Sequence, residues 1–112
     1  MSRIAYVDGR YVEHGRASLH VEDRGLQFSD AVYEVCEVRQ GALIDAPRHL
    51  DRLERSLGEL SMPLPMQRGA LMVVLRETVR RNRVGDGMVY LQVTRGANPR
   101  DHAFPARPRP SL

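Results

Sequence analysis

An α+β domain, a largely antiparallel sheet with two amphipathic helices on one face, is predicted by three features of this 112-residue chain. Short β-rich runs joined by turn residues open the sequence. Two stretches with apolar residues at helical spacing occupy its middle. One alternating run follows them. Strands joined by hairpins argue for antiparallel pairing, and two amphipathic helices can cover one face of such a sheet. At 42% apolar and 28% charged residues, the composition is that of an ordinary globular domain.

The elements read as follows. Ile4 to Val12 is a hairpin signal, with Asp8-Gly9 as the pair that accepts positive φ in a tight turn. Ser18-Leu19-His20-Val21 reads as a short strand, and the polar run Glu22 to Asp30 as a loop. Ala31 to Arg39 is a strand with Tyr33, Val35 and Glu37 on one face and Val32, Glu34, Cys36 and Val38 on the other. Gln40-Gly41 turns the chain, and Ala42-Leu43-Ile44 returns. Asp45 is expected to cap a helix that carries Pro47 in its first turn and a stripe of Leu50, Leu53, Leu57 and Leu60. Met62-Pro63-Leu64-Pro65 breaks it. A second helix runs from about Gln67 to Arg83, with Leu71, Val74, Leu75 and Val79 buried and Gly85 at its end. Arg80, Arg81 and Arg83 suit its negative C-terminus. Gly87 to Arg95 is the last strand. Four of the seven prolines lie from Pro99 onward. The organisation is therefore a domain over residues 1–98 and a loop with Pro-rich linker over 99–112.

Composition excludes several functions. All 17 basic residues are arginine, against 14 acidic ones, for a net charge of +3. Without lysine the chain has no Schiff-base amine, no lysine general base and no Walker-type phosphate anchor. The arginines alternate with acids and aromatics make up only 5%, which argues against a nucleic-acid surface. No apolar run approaches the ~20 residues of a membrane helix. Met1 to Ala5 leads straight into strand-like sequence, so no signal peptide is expected. The single cysteine, Cys36, permits no intrachain disulfide and reads as a core thiol in a cytoplasmic protein. His14, His20, His49 and His102 show no metal-ligand spacing, and no metal site is expected.

Two segments suggest chemistry. His49 and Arg52 are i,i+3 neighbours on the first helix, and Arg52 flanks the leucine stripe, where it can snorkel or reach into a cleft. Asp51 and Arg55 are spaced to pair on the surface, worth only tenths of a kcal/mol. Arg100 and His102 lie two apart on a loop stiffened by Pro99. A guanidinium fork and an imidazole donor suit a carboxylate.

Taken together the segments resemble the fold-type IV pyridoxal-phosphate enzymes. Glu22-Asp23-Arg24-Gly25-Leu26-Gln27-Phe28-Ser29-Asp30-Ala31-Val32-Tyr33-Glu34-Val35 is similar to their N-terminal signature. His49-Leu50-Asp51-Arg52-Leu53 and Val89-Tyr90-Leu91-Gln92-Val93-Thr94-Arg95-Gly96 recur there in the same order. Arg100-Asp101-His102 resembles the D-amino acid transaminases of that family more than its branched-chain transaminases or aminodeoxychorismate lyases. The resemblance implies the small N-terminal domain of such an enzyme, a pyridoxal 5'-phosphate cofactor, D-amino acid and 2-oxo acid substrates, and a homodimer. It implies that Arg52 grips the cofactor phosphate. It implies that Tyr33, Arg100 and His102 trap the substrate carboxylate, with the Arg and His supplied by the neighbouring subunit.

The departure from the family is the missing Schiff-base lysine, which the family carries in a second, C-terminal domain. The resemblance then implies a truncated enzyme, inactive alone and retaining no cofactor by itself. The readings set beside it are an aminodeoxychorismate lyase or branched-chain aminotransferase of the same fold and, in a different class, a stand-alone dimerisation or binding module.

Overall fold

Asp8 and Gly9 take φ of 46° and 92° and close the first hairpin, joining β1 (Ile4–Val7) to β2 (Arg10–Glu13), in the computed structural model, which describes residues 3–112. A 3₁₀ turn over His14–Arg16 follows. Ser18 to Val21 is not a strand. Leu19 and Val21 are exposed there, and none of the described strands pairs with the segment. The expected loop after it holds a short helix, α1 (Arg24–Phe28). Asp23 caps it by accepting from the Gly25 N–H at 2.8 Å, and Ser29 ends it in the left-handed region with φ 55°.

The strands β3 (Ala31–Arg39), β4 (Ala42–Leu43) and β5 (Gly87–Thr94) form an antiparallel sheet in the order β4-β3-β5. The β3–β5 register runs from Ala31 opposite Thr94 to Val38 opposite Gly87. The sheet expected from the sequence is thus two sheets, with the β1–β2 hairpin separate. Alternation along β3 holds: Glu34, Cys36 and Val38 are buried, while Tyr33 and Glu37 are exposed.

Helix α2 (Ala46–Glu59) packs on β3, and α3 (Arg68–Arg81) lies against β1. Leu50, Leu53 and Leu57 of α2, Leu71 and Leu75 of α3, and Leu91 and Val93 of β5 form one core, together with Met62 from the interhelix turn. Burying each such side chain contributes ~1.5–3 kcal/mol. Leu60, expected in the stripe, lies past the last turn of α2 and is 37% exposed. Asp45 does not cap α2 through its side chain. It stands at the boundary with φ 55°, and Pro47 supplies the preset first turn.

Helix α3 ends at Arg81, and the left-handed residue beyond it is Arg83, with φ 52°, rather than Gly85. Asn82 terminates the helix and ties it to β1, its side chain accepting from the Ile4 N–H at 2.8 Å and donating to the Ile4 carbonyl at 2.9 Å. Arg80 and Arg81 pair with Glu77 within the helix, which adds local partners to the dipole argument. Asp51 pairs across the two helices with Arg68 at 2.6 Å, in place of the expected Arg55. After an irregular stretch the tail returns to the domain. Ser111 pairs with Thr94 through N···O distances of 2.9 and 3.1 Å, and Leu112 packs against the core.

Candidate carboxylate- and phosphate-binding residues

The loop carrying Arg100 and His102 is organised by buried polar groups. Arg24 and Arg95, each 3% exposed, both bond one oxygen of Asp30, Nε to Oδ2, at 2.9 and 2.6 Å. Arg24 also donates to the carbonyls of Asp101 at 2.7 Å and Ala103 at 3.4 Å. Arg95 donates to the Leu60 carbonyl at 2.7 Å. Burial by itself pushes the Asp30 carboxyl up; the hydrogen bonds and charges of Arg95 and Arg24 outweigh it and hold the group below its ordinary value. Beside this node, Asp23 accepts from the Thr94 hydroxyl at 3.0 Å, which in turn accepts from the Gly96 N–H.

Arg100 and His102 are exposed and meet on one aromatic ring. The Arg100 guanidinium carbon lies 5.5 Å from the centre of Phe28, and the His102 ring stands edge-on to it at 5.6 Å. Phe28 comes from the end of α1, so the helix that the sequence does not announce supplies the platform for both side chains. Arg24 covers the same ring at 4.6 Å.

Tyr33 is elsewhere. It stands on the uncovered face of β3, 62% exposed, and stacks on Tyr90 of β5 with ring centres 5.3 Å apart. Arg52 and His49 lie on the α2 side of β3, where both converge on Glu34. That buried carboxylate is 2.8 Å from His49 Nδ1 and 3.6 Å from Arg52 Nε, and the Arg52 side chain remains 61% exposed. The expected site residues therefore form three groups: Arg100 with His102, Tyr33 with Tyr90, and Arg52 with His49. None of the four residues expected to bind ligand lines the apolar cavity of about 600 Å³ bounded by β1, α3 and β5.

Sequence reasoning missed Glu34, Arg24, Asp30 and Arg95. For Glu34 the signal was available: it is the one charged residue on the core-facing side of β3, between Val32 and Cys36. The other three stand inside the segments quoted for the resemblance, but nothing local marks them as a cluster, because Arg24 and Asp30 are six residues apart across the end of α1 and Arg95 is 65 residues from Asp30. Cys36 is a core thiol, bonded to the Ile44 carbonyl at 3.2 Å. Burial pushes its pKa up, which makes it a poor nucleophile.

Comparison with known proteins identifies the family. The family model for class IV amino-transferases matches residues 31–112. A D-alanine aminotransferase of Listeria innocua is 42% identical over 100 residues, covering 88% of this chain and 35% of the relative. One of Bacillus licheniformis is 39% identical over 105 residues, covering 94% and 37%. The crystal structure of 4-amino-4-deoxychorismate lyase from Pseudomonas aeruginosa superposes with a TM-score of 0.78 at 39% identity, covering 95% of this chain and 36% of that one. The branched-chain amino acid aminotransferase from Escherichia coli gives a TM-score of 0.90 at 18% identity, covering 99% and 39%, a likeness of fold alone. The chain spans about a third of the length of the curated relatives it matches.

Proposed function

This chain belongs to the class IV aminotransferase family, and from that premise we propose that it is the N-terminal part of a pyridoxal-phosphate-dependent D-amino-acid aminotransferase, a homodimer working in the cytoplasm. Its share of the work is to grip the carboxylate of D-amino acids and 2-oxo acids through Arg100 and His102, and the cofactor phosphate through Arg52. The observation that carries the reading is the gathering of Arg100 and His102 on the Phe28 ring. A carboxylate there meets a planar two-pronged donor and an imidazole N–H, each charge-assisted bond being worth about 1.5–3 kcal/mol. A tyrosine hydroxyl completes such a trap, the part proposed for Tyr33 once the remainder of the enzyme and the second subunit are in place.

The donor chemistry of this chain fits the cofactor in part. The Arg52 guanidinium is largely exposed, and its nearest acid, Glu34, stands 3.6 Å from Nε, so the group can accept a dianionic phosphate. The reacting amine must come from the part of the relatives that this lysine-free chain does not span. When bound, pyridoxal phosphate draws electrons from the Cα bonds of the amino acid and carries its nitrogen between substrates.

The test is Arg100→Ala in the full-length enzyme. We expect KM for D-amino acids and 2-oxo acids to rise roughly 10- to 100-fold, with a far smaller effect on amines that lack a carboxylate. Equal losses toward both substrate classes would overturn the assignment. A second reading, aminodeoxychorismate lyase, is favoured by the 39% identity to the Pseudomonas aeruginosa enzyme. Product analysis separates the two: transferred amine, or pyruvate with an aminobenzoate.

A further inference from the structure

Arg24 touches the Arg100–His102 loop at two of its carbonyls and at the ring on which both side chains rest. Its Nη1 holds the carbonyls of Asp101 and Ala103, the residues on either side of His102. Its guanidinium lies 4.6 Å from the centre of the Phe28 ring, on which Arg100 and His102 both rest. Its Nε is fixed by Asp30, whose same oxygen is fixed by Arg95, and Arg95 is anchored in turn on the Leu60 carbonyl. Phe104 packs over both guanidiniums, at 5.6 Å from Arg24 and 4.3 Å from Arg95.

Stability is a poor reason to bury this arrangement. Two guanidiniums and one carboxylate lose their hydration, and such groups often stabilise a fold no better than apolar replacements. Exposed loop carbonyls are satisfied by water at little cost. What the arrangement does provide is direction: a rigid fork that fixes two carbonyls and a ring at once.

We infer that Arg24 is a positioning residue for the substrate carboxylate, setting where Arg100 and His102 point through the Asp101 and Ala103 carbonyls and the Phe28 ring. The inference rests on the carboxylate-binding role proposed for those two side chains. Lysine at position 24 keeps the charge beside Asp30 but lacks the fork, so it cannot hold the ion pair and both carbonyls together. Leucine at position 28 removes the shared ring and leaves the Asp30–Arg95 pair intact.

The experiment compares Arg24→Lys and Phe28→Leu with Arg100→Ala in the full-length enzyme. Steady-state constants are measured for a D-amino acid and for an amine without a carboxylate, and hydrogen exchange is followed over residues 100–104. We expect both variants to raise KM for the amino acid roughly tenfold or more, with kcat changed less and the amine unaffected. Exchange over the loop should quicken, most in Arg24→Lys. A well-folded Arg24→Lys with unchanged KM for the amino acid would overturn the inference, as would parallel losses on amine and amino acid. Should Arg24→Lys fail to fold, Phe28→Leu carries the same two outcomes. Failure of Arg100→Ala to separate the substrates would count against the carboxylate reading itself. Separation by Arg100→Ala but not by the other two would remove only the role of Arg24.

Discussion

Arg52 shows how little a side chain's place on a helix says about its work. It flanks the leucine stripe of α2 and shares Glu34 with His49, yet most of its surface is open. An exposed arginine 3.6 Å from its acid adds at most tenths of a kcal/mol to folding. Arg52→Ala in the full-length enzyme is therefore expected to leave the far-ultraviolet circular dichroism unchanged while pyridoxal phosphate dissociates more readily, followed by the cofactor's absorbance after gel filtration. A variant that unfolds, or that retains cofactor as the parent does, would show that Arg52 serves the fold. Glu34 is the less replaceable partner. Its carboxylate is 6% exposed, and removing His49 would leave it with one distant counter-charge.

Two glycines in helices make opposite demands. A Cβ on Gly25 of α1 would lie 2.5 Å from Thr94 Cγ2 and 3.0 Å from Asp23 Oδ1, both on buried residues already committed to hydrogen bonds. A Cβ on Gly58 of α2 would meet nothing within 4 Å. Gly25→Ala should therefore cost about 1–3 kcal/mol through displacement of Thr94. Gly58→Ala should gain about 0.5–1 kcal/mol by reducing the freedom of the unfolded chain. Urea midpoints of the two variants decide this, and a neutral Gly25→Ala would mean that α1 can move without cost. The close approach of α1 to the end of β5 also explains why the Glu22–Asp30 segment does not read as a helix. Five residues bear too few apolar positions for a period, and the Asp23 cap and the Gly25–Thr94 contact hold the turn in place. Helices α2 and α3, by contrast, are legible because fourteen residues each give a leucine stripe time to repeat.

For the whole molecule, Asp30 joins α1, the end of β5, the interhelix turn and the Arg100–His102 loop through two arginines. Its folded pKa lies below the ordinary 3.8, so the native state binds this proton less readily than the unfolded chain. That contribution to stability is complete above the ordinary value and is lost as pH falls through it toward the lowered one. Glu77, held down to about 2 by Arg80 and Arg81, titrates in an overlapping window, but both of its arginine partners are exposed to solvent, which screens the effect. Denaturation midpoints between pH 6 and pH 2 should fall steeply below about pH 4. Asp30→Asn should flatten that fall and lose on the order of 3 kcal/mol at neutral pH. Glu77→Gln should do little at either end. An unchanged acid profile in Asp30→Asn would show that the node is not what acid breaks.

The sequence by itself determined the hairpins, the two long helices, the alternation of β3 and β5, the absence of lysine chemistry and the family to which the chain belongs. Each of these rests on local period, turn chemistry or contiguous motif, and such signals survive without knowledge of the third dimension. The tertiary structure alone decided that the β1–β2 hairpin forms its own sheet, that Ser18 to Val21 pairs with none of the described strands, and that Asp51 meets Arg68 of the other helix and not Arg55. It also decided how the chosen residues group: Arg52 with His49 on Glu34, Tyr33 on Tyr90, Arg100 with His102 on Phe28. Those groupings depend on charge pairs and ring contacts between residues 15 to 74 positions apart. No spacing rule records such separations, because only the packed chain brings them within reach.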